Sequence, residues 1–151
     1  MKFIAFSLFV FVTLLQLGQL NAREVLRNGQ WPPPELLKHV APIRTKCQAQ
    51  IGISDEAIKE YDVGDSLEAK QSVKCYMACL FREFNAIAPN GDVNIKALDP
   101  FFAGLNDELK TSVYKVIAAC PENIPGEDDC ERIYLYSSCL KRTGPKFYFL
   151  P

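Results

Sequence analysis

The sequence predicts an all-α domain, a compact bundle of about six helices stapled by three disulfides around an apolar interior. Three observations carry that prediction. Apolar residues recur at helical spacing in segment after segment. No stretch shows sustained period-two alternation bounded like a strand. Six cysteines, an even number, all follow a stretch with the pattern of a secretory leader.

The leader is the opening "MKFIAFSLFVFVTLLQLGQLNA". It begins with Lys2, continues as an uncharged apolar run and ends on the small residue Ala22, the three-part pattern of a cleaved signal. Its length also suits a membrane anchor, since about 20 apolar residues span a bilayer. No basic stop-transfer cluster follows, so secretion with cleavage after Ala22 is the expectation. Residues 23–151 then form one domain with one core, a size able to bury it. Cleavage removes Lys2 and no acid from a chain with 17 basic and 18 acidic residues, leaving a net charge of −2. That balance, without a basic cluster, points away from nucleic acid and from stable association with an anionic membrane.

The helices follow in order. "PPPELLKHVAPIRTKCQAQIG" starts on prolines that a first turn tolerates and carries Pro42, which is expected to kink it. Ser54 caps a short helix through "DEAIKEY", closed by "VGD". Asp65 or Ser66 caps a longer third helix, "SLEAKQSVKCYMACLFREF". "APNGDV" is a turn. A short helix through "NIKALDPFFAG" meets Pro100. Asn106 or Asp107 caps "ELKTSVYKVIAAC", which Pro121 ends. "DCERIYLYSSCLKR" is the last helix, and "RTGP" stops it: Gly144 allows a turn and Pro145 forbids continuation.

An even set of cysteines in an oxidising compartment reads as three disulfides. Cys75 and Cys79 share a helix face with Cβ atoms about 5–6 Å apart, too far for the roughly 3.8 Å that a disulfide wants. Cys130 and Cys139 fall on opposite faces of the last helix. Excluding both pairs leaves ten of the fifteen possible connectivities. A zinc site built from thiolates and His39, the sole histidine, fits the spacing poorly because the second cysteine pair is too far apart. No metal and no cofactor is implied.

The cysteines are separated by 27, 3, 40, 9 and 8 residues. In a secreted helical chain of this length, "CYMAC" and "CERIYLYSSC" resemble the motif of the insect odorant-binding proteins, the pheromone and general odorant-binding family. The resemblance covers essentially the whole mature chain. It implies the pairing Cys47–Cys79, Cys75–Cys130 and Cys120–Cys139, a member of the ten allowed sets. It also implies a hydrophobic ligand held inside the bundle, an odorant or pheromone-like molecule delivered to chemosensory receptors. The protein is then a monomer or weak homodimer.

The residues themselves offer walls for such a pocket. On the third helix Val73, Met77, Leu80, Phe81 and Phe84 form one stripe, opposite Cys75 and Cys79. On the fifth, Leu109, Val113, Val116 and Ile117 do the same. The last helix contributes Tyr134 and Leu140. For each of these residues alone, solid core is the competing reading. A pocket of roughly 300–500 Å³ would cost about 7–12 kcal/mol when empty, a size that three disulfides at roughly 2–4 kcal/mol each can offset. Cross-links therefore permit a cavity without proving one.

The chain ends on "KFYFLP". Phe147, Tyr148, Phe149 and Leu150 make an apolar end where termini are usually polar, and residues 143–151 are expected to fold back as a wall or lid. The alternative is a sticky patch that binds a protein partner, as in a secreted salivary, seminal or defensive factor. The resemblance further suggests release at acid pH, with the Pro151 carboxylate and His39 as candidate triggers. Tyr134, Tyr136 or Tyr148 can supply a hydroxyl to a ligand oxygen. An enzyme is disfavoured: His39 has no adjacent acid, and neither a Gly-x-Ser-x-Gly elbow nor a His-Glu-x-x-His motif is present.

Overall fold

The computed structural model describes residues 31–151, so the leader expected at 1–22 lies outside them. Among the described residues there are six α-helices and one 3-10 turn. They are α1 (Pro34–Ile51), α2 (Asp55–Val63), α3 (Gln71–Glu83), the 3-10 turn Ile95–Leu98, α4 (Asp99–Phe102), α5 (Asp107–Ala118) and α6 (Asp129–Thr143). The fold is all-α, and its only β feature there is an isolated bridge between Ile87 and Val93.

Local chemistry explains most of the boundaries. The hydroxyl of Ser54 accepts from the Ala57 N–H, and Asn106 and Asp128 accept from Leu109 and Glu131, so three helices start on side-chain caps. α1 starts on prolines instead and ends on Gly52, whose φ of 71° is a left-handed conformation that only glycine adopts cheaply. Pro42 lies inside α1 without ending it.

The third helix departs from the sequence-based expectation. It begins at Gln71, not at Asp65 or Ser66. The Ser66 hydroxyl accepts from the Glu68 N–H, a local turn that competes with helix. The carbonyls of Ser66 and Leu67 are taken by Lys141 and Tyr134 of α6, at 3.0 and 2.6 Å. Residues 66–70 therefore form a strap across α6, and tertiary partners have won over local propensity.

Three disulfides join the helices: Cys47–Cys79 ties α1 to α3, Cys75–Cys130 ties α3 to α6, and Cys120–Cys139 ties the end of α5 to α6. α3 is the central element, burying Val73, Tyr76, Met77, Ala78, Cys79 and Leu80 on several faces. Ion pairs Lys74–Glu131 (2.7 Å) and Arg82–Asp129 (3.0 Å) bracket its contact with α6. Lys141 of α6 is only 2 % exposed. Its ammonium donates to the Tyr61 and Ser66 carbonyls and lies 4.1 Å from the Tyr61 ring centroid. Tyr61 is in the last turn of α2, where the helix dipole favours a cation.

Gly144 is the hinge between α6 and the tail, and it is buried against α5. A Cβ there would fall 2.5 Å from both methyl carbons of Val116. Gly144→Ala is therefore expected to destabilise the protein by about 1–3 kcal/mol through overpacking. Urea unfolding checks this, and Val116→Ala should restore part of the loss. A neutral Gly144→Ala would show that the contact relaxes freely.

Candidate functional site

Buried apolar residues fall into two clusters. The larger surrounds α3 and α6 and includes Tyr76, Met77, Ile133 and Tyr136. The smaller consists of Trp31, Leu36, Val40, Val113 and Ile117. Where they meet there is a cavity of about 150 Å³. An empty space of that size costs about 4 kcal/mol, and it is smaller than the drug-sized pocket the sequence suggests. The wall is almost wholly apolar.

α3 lends Met77, Phe81 and Phe84 to this wall, α5 lends Val113, Val116 and Ile117, and α6 lends Leu140. Four other candidates do not line it. Leu109 packs against the smaller cluster outside the cavity. Val73 and Leu80 are buried in the larger cluster. Tyr134 gives its hydroxyl to the Leu67 carbonyl at 2.6 Å and lies under the Lys74 ammonium, 4.2 Å from the ring centroid. A stripe at helical spacing marks burial on every side of a central helix, so it cannot separate a cavity wall from solid core.

Sequence reasoning missed several wall residues. Trp31, Leu36 and Val40 enter from the start of α1, and Leu98, Phe101 and Phe102 from the 3-10 turn and α4. Leu36 and Val40 are four apart, the spacing of a helical face, and that signal was legible. Tyr136 and Ser137 of α6 and the terminal Pro151 complete the wall.

The tail closes the cavity. Phe147 and Tyr148 donate their N–H groups to the Gly144 carbonyl, a turn that reverses the chain after α6. Beyond it successive side chains point to opposite sides. Phe147 and Phe149 meet the Trp31 ring edge-on, with centroids 5.9 and 5.8 Å away. Tyr148 packs edge-on against Tyr61, and Tyr148 and Leu150 are both buried in the larger cluster. All four tail residues line the cavity. The tail is thus a strip with one edge on each cluster.

Two polar clamps hold its end. The Leu150 N–H donates to an Asp62 carboxylate oxygen at 2.7 Å, and the Tyr76 hydroxyl donates to an oxygen of the terminal Pro151. Burial pushes the Tyr76 hydroxyl up to about 12, despite a smaller opposing pull from Arg44. It therefore remains a donor throughout the neutral range. His39 is exposed on α1, and the two clamps run through other residues.

This arrangement of helices has known counterparts. The model of the PBP/GOBP family matches residues 30–143. The chain belongs to that family, the insect odorant-binding proteins. Among relatives of this family, general odorant-binding protein 57d of Drosophila melanogaster is 30% identical over 116 residues, covering 72% of this chain and 81% of the relative. General odorant-binding protein 69a of the same fly is 25% identical, covering 76% and 74%. Odorant binding protein 4 of Chrysopa pallens superposes with a TM-score of 0.64 at 27% identity, over 77% of this chain and 95% of that one. Odorant binding protein 7 of Anopheles gambiae, solved with four disulfide bridges and an azo compound, has a TM-score of 0.59 at 21% identity, over 79% and 99%. That neighbour shares the fold, whereas this chain builds it with three bridges. Family membership supports a carrier of small hydrophobic ligands, in a family of non-catalytic carriers. No helix among the described residues is long and apolar enough to cross a membrane.

Proposed function

We propose that this protein is secreted and reversibly binds one small apolar molecule, odorant or pheromone-like, in the cavity between the two core clusters, carrying it to a chemosensory receptor. The observation that carries the reading is the cavity itself: an apolar void walled by four long helices and by the chain's own last residues. An apolar cavity of this size stays dry and accepts a molecule about as large as benzene. Larger ligands require the tail or the phenylalanine rings to move. Burial of Tyr148 and Leu150 within their own chain favours this role for the tail over that of an adhesive patch.

The test is a titration of oxidised residues 23–151 with N-phenyl-1-naphthylamine, a dye that brightens in apolar surroundings. Saturation at one dye per chain with micromolar affinity, roughly −8 kcal/mol, is expected. Absence of binding would sink the carrier and leave the secreted interaction protein as the better reading.

Acid release is part of the proposal. Both clamps on the tail end in carboxylate acceptors, those of Asp62 and Pro151. Charged groups near them include Arg44 of α1 and Asp55 of α2, which pair at 2.5 Å and act electrostatically on Tyr76, and Lys141 of α6, whose ammonium lies 6.0 Å from the Tyr148 ring centroid. An ionised carboxylate accepts more strongly than a protonated one. Loss of charge at these acceptors therefore loosens the tail. Protein with an amidated C-terminus and Asp62→Asn should hold the dye with little further change on acidification. Were it to release dye over the same pH range as the native protein, the trigger would lie elsewhere.

A further inference from the structure

Two residues of the cavity wall each carry a buried polar atom with no hydrogen-bond partner among the described residues. The Trp31 indole Nε1 and the Tyr136 hydroxyl are hidden from solvent and make no hydrogen bond. Trp31 is 5 % exposed and Tyr136 is fully buried, and both residues line the cavity. Buried polar groups in native proteins are nearly always paired, so an orphan asks for an explanation. Other tyrosine hydroxyls are engaged: Tyr61 with Ser138, Tyr76 with Pro151, Tyr114 with Asp99 and Tyr134 with Leu67. Of Tyr134 and Tyr136, both offered by the sequence as ligand donors, only Tyr136 keeps its hydroxyl for a guest.

We propose that the cavity selects apolar molecules carrying one neutral acceptor oxygen, a ketone, aldehyde or ester carbonyl, which accepts from the Tyr136 hydroxyl, with the Trp31 indole N–H as a second donor. The inference rests on the carrier reading and narrows its ligand class. An indole N–H can only donate, so the wall asks for an acceptor. Burial pushes the Tyr136 hydroxyl strongly up, which keeps it protonated and donating. An anionic oxygen is disfavoured. Among the described residues no lysine, arginine or histidine lines the cavity, while the terminal Pro151 does. Lys141 is turned toward the Tyr61 and Ser66 carbonyls. A carboxylate guest would be desolvated without a counter-charge beside another carboxylate. A hydrocarbon guest would leave both donors unpaired.

The test uses a shape-matched pair. Acetophenone and cumene differ by a carbonyl oxygen in place of a methyl group, and both approach the size of the cavity. Each is titrated against dye-loaded native protein, Tyr136→Phe and Trp31→Phe, with benzoate as the anionic comparison. Tyr136→Phe should weaken acetophenone by about fivefold, the worth of one neutral hydrogen bond, and leave cumene within about twofold. Trp31→Phe should shift the pair in the same sense, and benzoate should displace no dye at neutral pH. The ligand-free Tyr136→Phe protein should melt no lower than the native one, because the lost hydroxyl had no partner. Should it fail to fold, Trp31→Phe alone carries the comparison. Equal effects on both ligands, or none on acetophenone, would overturn the acceptor selection while leaving the carrier intact. So would dye binding that neither ligand displaces. Failure of the dye itself to bind would remove the carrier reading, a separate result.

Discussion

A chain ending at Lys146 should bind N-phenyl-1-naphthylamine at least about tenfold more weakly than the full mature chain, a loss of about 1.4 kcal/mol or more. The truncation removes Phe147, Tyr148, Phe149, Leu150 and Pro151, which together form one wall of the cavity. It takes away both edge-on partners of the Trp31 ring and both polar clamps. Each large apolar side chain returned to water forfeits roughly 1.5–3 kcal/mol of burial, offset in part by the regained freedom of the tail. A second readout is internal to the protein. Trp31 is its sole tryptophan and is buried beneath the tail, so truncation should move its emission to longer wavelength. Undiminished binding would show that the tail does not enclose the ligand. An unmoved emission would show that Trp31 is shielded by something else.

Replacing both members of the Cys75–Cys130 bridge by alanine should cost about 4 kcal/mol of stability, following the chain-entropy relation for a sequence separation of 55 residues. That is a large fraction of the roughly 5–15 kcal/mol that holds a typical domain folded. The bridge joins α3 and α6, whose contact also includes the edge-on Phe81–Tyr136 pair and the Lys74–Glu131 and Arg82–Asp129 ion pairs. Those interactions should preserve the native arrangement in the absence of denaturant, so ligand binding should survive at low temperature. The Cys120–Cys139 bridge closes a shorter loop, with a separation of 19, and its removal should cost about 3 kcal/mol by the same relation. Urea unfolding of the two alanine pairs tests both size and order. A loss below about 1 kcal/mol for Cys75–Cys130 would mean that the unfolded chain gains little freedom when this bridge is cut.

The helices were legible because their signals are local. The Ser54 and Asn106 caps and the Gly52 stop act within one turn, and the structure uses each of them. The third helix was misplaced by several residues because Ser66 and Leu67 give their carbonyls to Lys141 and Tyr134, side chains far away in sequence. The candidate site divides along the same line. Met77, Phe81 and Phe84 recur on one face, and so do Val113, Val116 and Ile117. Val73 and Leu80 share the pattern of the first group and still lie outside the cavity wall, since periodicity reports burial and says nothing of what lies opposite.

By itself, the sequence determined the helical class, the helix ends set by caps and glycine, the family through its cysteine spacing, and an end too apolar to remain in water. Each of these depends on neighbours in the chain or on residue type. Only the tertiary structure decided that Trp31 meets Phe147 and Phe149, that Tyr76 and Asp62 clamp the last two residues, and that Tyr136 keeps a hydroxyl without a partner. Those are contacts between residues tens of positions apart. Their geometry exists only once α3 and α6 have packed and the chain has turned at Gly144, because a cavity is defined by the walls that fail to meet across it.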